Sequence, residues 1–217
     1  MSNIIASTAA PRLSKPSAMP CKSWSLQAKT TCPGSVDNSH PTGLVPACRT
    51  CYAAKGMYHM PNVIAPREHN KQDWRHPDWE NQMIQALGKM VEFRWLDSGD
   101  VYHVELAKKM LRIMRATPNC KHWLPTRSYK FAKFRPIFAR MEKLQNVAVR
   151  KSSDSVTGGR IRGKTTSTII QDISQLGDAY LCPKTAPGLP KNEQNCNAQK
   201  CRACWDKTVP VVAYIEH

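Results

Sequence analysis

The residues best able to do chemistry in this chain are its nine cysteines, at positions 21, 32, 48, 51, 120, 182, 196, 201 and 204. Seven of them lie in two groups near the chain's ends. Cys32, Cys48 and Cys51 form the first: CPG, then CRTCYA after fifteen intervening residues. Cys182, Cys196, Cys201 and Cys204 form the second, within LCPKT, NC and KCRACW. Two cysteines separated by two residues turn both sulfurs toward one ion or cluster, and the amides between them point at the sulfur atoms. This is the repeating unit of zinc knuckles and iron–sulfur loops. The stretch NEQNCNAQKCRACWDK is too polar for a core strand. These seven cysteines are therefore the candidate metal ligands. Cys21 and Cys120 stand alone and read as buried free thiols, which pack as small hydrophobes.

The residue types leave iron–sulfur and zinc both open. Four thiolates in the second group satisfy tetrahedral zinc or a cubane cluster equally. Cys182-Pro183 matches the Cys-Pro that closes ferredoxin-type loops. The first group has three cysteines only. A structural zinc there needs His40 or His59 as a fourth ligand, whereas a cubane on three thiolates keeps one iron open. A single zinc shared by the 48/51 and 201/204 pairs is a further arrangement.

The charge is the second unusual feature. Net charge is 32 − 16 = +16. Residues 108–164 contain 16 Lys or Arg against Glu142 and Asp154, which is +14 of that total. A field so concentrated attracts polyanions, so nucleic acid or another polyanion is the expected partner class. Gly158–Lys164 (GGRIRGK) is basic and glycine-rich, which suits phosphate contact. A solvated basic surface has the same composition. No helix-turn-helix or RNA-recognition signature is present, nor is a P-loop, GxGxxG or GxSxG. No apolar run approaches about eighteen residues, so no membrane span is expected. The first 22 residues lack the apolar core of a secretory signal. A cytoplasmic protein with reduced thiols is expected, and an odd cysteine count fits a disulfide framework poorly.

The elements that must position these residues alternate. Residues 1–20 read as a flexible arm and 21–217 as one α/β domain with a cysteine-rich segment at 182–205. Lys22–Ala28 is a predicted strand, and 29–70 a long irregular stretch of the kind organised by something bound. A helix is predicted from near Pro77, with Met83, Leu87 and Met90 as its stripe. Val91–Leu96 is a strand, and Val104, Ala107, Leu111 and Met114 mark the next helix face. Lys121–Thr126 is a strand. Phe131, Phe134, Phe138 and Met141 mark a helix that Pro136 delays or kinks. Strands follow at Asn146–Arg150, Thr165–Ile170, Ala179–Leu181 and Val209–Ile215. Strands alternating with helices imply a parallel sheet with right-handed crossovers. The predicted architecture is a partial or irregular (β/α) barrel with long cysteine-bearing loops. Such sheets place functional groups at strand C-terminal ends. Those ends carry Ser98, Gly99 and Asp100 as candidate cofactor-binding residues, and Arg127 and Lys151 as candidate anion or substrate ligands. Cys32 follows the first strand and Cys182 a late one, which places both cysteine groups on the same face.

The pattern Ser23–Leu26 (SWSL), Cys32–Gly34, Cys48–Tyr58, Arg94–Asp100 (RWLDSGD), Thr126–Lys130 (TRSYK), Val149–Asp154 and Cys182–Trp205 resembles the phage family called gene product eighty-eight. The resemblance spans roughly residues 22–205. It implies a bacteriophage origin, a place in the infected host's cytoplasm, and a 4Fe-4S cluster with Cys32, Cys48 and Cys51 as natural ligands. A looser resemblance is to radical S-adenosylmethionine enzymes, whose cluster is held by three cysteines after the first strand of a partial barrel. Tyr52 stands where those enzymes place an aromatic, and Ser98-Gly99-Asp100 resembles their glycine-rich turn. That likeness implies S-adenosylmethionine at an open iron. The contrasting expectation is a zinc-stabilised nucleic-acid-binding protein that uses the basic segment.

Overall fold

The computed structural model describes residues 9–216. The chain runs β1 (Leu13–Ser14), β2 (Lys22–Trp24), α1 (Pro46–Arg49), α2 (Pro61–Asp73), α3 (Trp79–Leu87), β3 (Glu92–Trp95) and α4 (Val104–Ala116). It continues through β4 (Lys121–Thr126), α5 (Arg135–Glu142), β5 (Val147–Ser152), β6 (Thr166–Ile170), β7 (Tyr180–Leu181) and β8 (Val211–Ile215). The predicted alternation from β3 to β5 is present, and β4 has the predicted bounds. Pro136 sits in the first turn of α5, where its missing N–H is an orphan anyway, so the helix starts late. His103 caps α4 by accepting the amide of Glu105 at 3.2 Å.

The strands form one sheet in the order β1-β2-β3-β4-β5-β6-β8-β7. All neighbours pair in parallel except β1 with β2. The fold is thus mixed α/β on a mostly parallel sheet, as expected. The sheet is open: β1 and β7, each two residues long, are its edges. Two segments depart from the sequence reading. Within the stretch read as irregular, Pro61–Asp73 is a helix. Periodicity could not reveal α2, because the residues it buries are Arg67 and Asn70. The predicted arm at 1–20 lies partly outside the described residues, and its remainder is docked. β1 pairs with β2, Ala10 N donates to Asp73, and Arg12 exchanges backbone hydrogen bonds with the Asn70 side chain.

Register divides the sheet into two faces. Ser23 lies beside Arg94 and Arg94 beside Trp123; Trp24 lies beside Trp95. One face carries Trp24, Phe93, Trp95, Leu124, Val147 and Val149, packed against α3, α4 and α5 through Met83, Leu106, Met110 and Met141. Full burial of such side chains contributes about 1.5–3 kcal/mol each. The other face carries Trp123 and Val212, covered by Cys182, Cys201, Cys204 and Trp205 from the long β7–β8 connection. Arg150 of β5 fixes that cover. It is fully buried and donates to the carbonyls of Cys204 (2.9 Å), Asp206 (2.8 Å), Val209 (3.0 Å), Thr166 (3.2 Å) and Ala203.

Candidate functional site

The first cysteine group is built from loops pinned to the C-terminal ends of β3, β4 and β5. After β2 the chain turns through Lys29 at φ +66°, and Cys32 N donates to Lys29 O at 3.2 Å. A single 3-10 turn, Pro33–Ser35, follows, and Ser35 Oγ donates to Cys32 O at 2.7 Å. Gly34 lies against Arg127: a Cβ there would stand 2.6 Å from Arg127 Cβ. Lys130 Nζ donates to Gly34 O at 2.8 Å. α1 carries Cys48, and Ala47 N donates to Asp154 O at 3.0 Å. Cys51 precedes the turn Tyr52–Ala54.

Burial pushes the Cys32 thiol up to about 12, and the Asp100, Cys48 and Cys51 charges add to it. Burial also raises Cys48, against the Arg127 guanidinium. Both are thiols at neutral pH, so loading a metal must release protons.

In the second group all four cysteines are buried. Cys201 N donates to Cys196 O at 3.0 Å, Cys196 N to Ala18 O at 3.0 Å, and Cys182 N to Ala213 O at 2.8 Å. Two tyrosine hydroxyls reach the sulfurs at 3.4 Å, Tyr180 at Cys201 and Tyr214 at Cys204. Burial raises Cys182 to about 12, with Cys204, Cys196 and Cys201 contributing. Cys21 packs in the same cluster. Burial and then Glu92 hold it up near about 12, and Cys196 adds to the rise. No sequence signal marks Cys21, since its neighbours come from the far end of the chain. Cys120 packs in the helix-side core as a small hydrophobe.

The first group and the 196–205 segment do not share one end of the sheet. Trp205 Nε1 donates to Phe93 O at 3.0 Å, and Arg202 pairs with Glu92 at 2.6 Å. The 196–205 segment thus lies by the N-terminal half of β3, while the first group lies beyond its C-terminal end. Among the described residues no group of three or more His, Cys, Asp or Glu is arranged around a single-ion position. His40 bonds Thr42 Oγ1 at 2.8 Å and His59 bonds Ala54 O at 2.7 Å.

Arg94 stands between the groups. Its Nη1 pairs with Asp97 Oδ1 at 2.8 Å, and its Nη2 donates to the Tyr52 hydroxyl at 3.1 Å. Its guanidinium lies 4.4 Å over Trp123. Tyr58 donates to Asp97 Oδ2 at 2.8 Å. Burial alone would lower Arg94; Tyr52 and Asp97 outweigh it and hold the guanidinium charged. Burial also lifts Tyr52 to about 12. The Arg94 charge in turn lowers Cys21, Cys196 and Cys204 against their burial.

The strand-end residues are engaged internally. Ser98 Oγ donates to Leu26 O at 2.7 Å. Gly99, at φ +78°, has Thr31 Oγ1 within 2.6 Å of where a Cβ would stand. Asp100 accepts Thr126 Oγ1 (2.7 Å), Val101 N (2.7 Å) and Arg127 N (2.8 Å). Arg127 pairs with Asp154 at 3.3 Å and Lys151 with Glu142 at 2.9 Å. Other cations of the basic segment are likewise bound: Arg112 to Glu80 at 2.6 Å, Lys130 to Asp154, and Arg150 to carbonyls. Arg160 pairs with Asp178 at 3.0 Å.

The family whose sequence model matches this chain is described as Gene product 88, over residues 2–207. No curated protein and no solved structure matches.

Proposed function

The chain belongs to the Gene product 88 family, and on that premise we propose that it is a phage-encoded iron–sulfur protein with a 4Fe-4S cluster on Cys32, Cys48 and Cys51. The observation that carries the reading is that the loops bearing these three cysteines are pinned at the strand C-terminal ends around Arg127, Lys130 and Asp154: Gly34 lies against Arg127 and accepts from Lys130, and Ala47 N donates to Asp154 O. Three all-sulfur donors with cations nearby suit an anionic cluster, and three thiolates leave its fourth iron open. The second group, with Cys182, Cys196, Cys201 and Cys204, holds a second cluster or a zinc ion. The sequential parallel order from β2 to β6 supports a partial-barrel frame for both. The protein acts where its host keeps thiols reduced; among the described residues no helix is long and apolar enough to cross a membrane.

A further step, reductive cleavage of S-adenosylmethionine at the open iron, would need Ser98–Asp100 to hold the cofactor. The Ser98 hydroxyl and the Asp100 carboxylate are already hydrogen-bonded within the fold and are not free to hold it.

The test is iron, zinc and acid-labile sulfide content of anaerobically isolated protein, alone and as Cys48→Ala and Cys201→Ala. Iron and sulfide in the parent, lost in part with Cys48→Ala, support the reading. Zinc lost only with Cys201→Ala assigns zinc to the second group. Protein without iron or sulfide after anaerobic isolation rejects the cluster.

A further inference from the structure

α2 buries an arginine with nothing to neutralise it. Arg67 is 6% exposed, and its Nη1 is buried without a hydrogen-bond partner. Its guanidinium lies 4.5 Å over the Tyr58 ring. The carboxylate nearest in effect, Asp97, is already paired with Arg94 and Tyr58. A buried charge without a partner is costly, and such sites normally pair the charge or bind a counter-ion.

Arg67 lines a cavity of about 120 Å³ with Arg12, Ser14, Ser25 and Asn62. Asn62 and Val63, in the first turn of α2, lie on its wall, and no side chain caps that helix end. The wall follows one flank of α2, through Asn62, Val63, Pro66, Arg67 and Asn70. A wider hollow of about 540 Å³ adjoins it, sharing Arg12, Ser14 and Asn62 and adding Lys22. Neither cavity is lined by Asp or Glu. Two guanidinium groups on the inner cavity and Lys22 on the outer hollow, with no acid on either wall, make an oxyanion cradle.

We propose that this cavity, between β1 and the flank of α2, binds a phosphoryl group, with Arg67 as the buried ligand and Arg12 as the rim ligand. The outer hollow takes the organic part of a phosphorylated small molecule. Neither cavity is lined by a cysteine, and the proposal does not rest on the iron–sulfur reading.

The test is calorimetric titration of anaerobically isolated protein of known metal content with inorganic phosphate and with ribose 5-phosphate. Ionic strength is held constant with chloride. Arg67→Met and Arg12→Gln are expected to weaken binding about tenfold or more, the loss of charged hydrogen bonds. Arg140→Gln, on the far α5 surface, leaves it unchanged. Circular dichroism checks the Arg67→Met fold; Arg12, whose hydrogen bonds to Asn70 are all from its backbone, is the independent variant. Tighter binding of the ester identifies a phosphorylated small molecule, and equal affinity identifies free phosphate; both uphold the site. No phosphate binding, or equal losses with Arg140→Gln and Arg67→Met, overturns it as diffuse attraction to a cationic protein.

Discussion

Arg94 and Tyr52 are joined by a 3.1 Å hydrogen bond, and through it strand β3 holds the residue that follows Cys51. The same guanidinium pairs with Asp97 and tunes cysteines of the second group. Replacing it with Met leaves the Asp97 carboxylate buried without its cation. The expected loss is about 3–5 kcal/mol in urea unfolding. Tyr52→Phe, which removes one hydroxyl, is expected to cost about 1 kcal/mol.

Arg150 holds the cover over the second cysteine group by donating to five carbonyls. Arg150→Met leaves those acceptors unsatisfied and is expected to destabilise the chain by at least about 3 kcal/mol. Cys201 and Cys204 then become accessible. In metal-free, reduced protein their alkylation by iodoacetamide, read by mass spectrometry, should accelerate in the variant. Cys120, in the separate helix-side core, serves as the internal reference.

Gly99 and Gly43 both have positive φ, +78° and +65°, but only Gly99 is crowded. An added Cβ at Gly99 meets Leu26 Cβ at 2.7 Å and Thr31 Oγ1 at 2.6 Å; at Gly43 it meets nothing within 4 Å. Gly43→Ala should cost about 1 kcal/mol from backbone strain. Gly99→Ala should cost about 2–3 kcal/mol more, from overpacking of the loop that carries Cys32. Thermal unfolding of the two variants separates conformation from contact.

His122 is buried and neutral. Its Nδ1 accepts from Trp95 Nε1 at 3.2 Å, and its Nε2 bonds Thr117 Oγ1 at 3.0 Å. Burial pulls it from 6.5 to about 4. The unfolded chain therefore binds a proton below pH 6.5 that the folded chain refuses until about pH 4. Stability is full above pH 6.5, falls as pH drops between those values, and levels off below about 4. The expected fall is about 3 kcal/mol. Urea midpoints across that range measure it, and His122→Gln should flatten the slope.

Much of the frame was legible because apolar periodicity follows burial. Met83 and Leu87 are buried, as are Ala107, Leu111 and Met114 of the α4 face, with Val104 partly so. Helix α2 was not, because its inward residues are Arg67 and Asn70 and its pattern has no apolar stripe. The docking of residues 9–14 was not legible for a related reason: backbone hydrogen bonds to Asn70 and Asp73 hold it, and they leave no compositional mark.

The sequence by itself determined the thiol groups, their CxxC pairs, the α/β alternation and the excess of charge, because each is set by residue type and short-range spacing. Tertiary structure alone decided the rest. It drew Cys21 into the second group, set the 196–205 segment by the N-terminal half of β3 and the first group beyond that strand's C-terminal end, and placed Arg94 between them. It also paired several cations of the basic segment with carboxylates, buried Arg150 among carbonyls, and left Arg67, outside that segment, buried with Nη1 unpartnered. These are relations between residues far apart in the chain, fixed by register and burial, and no local pattern encodes them.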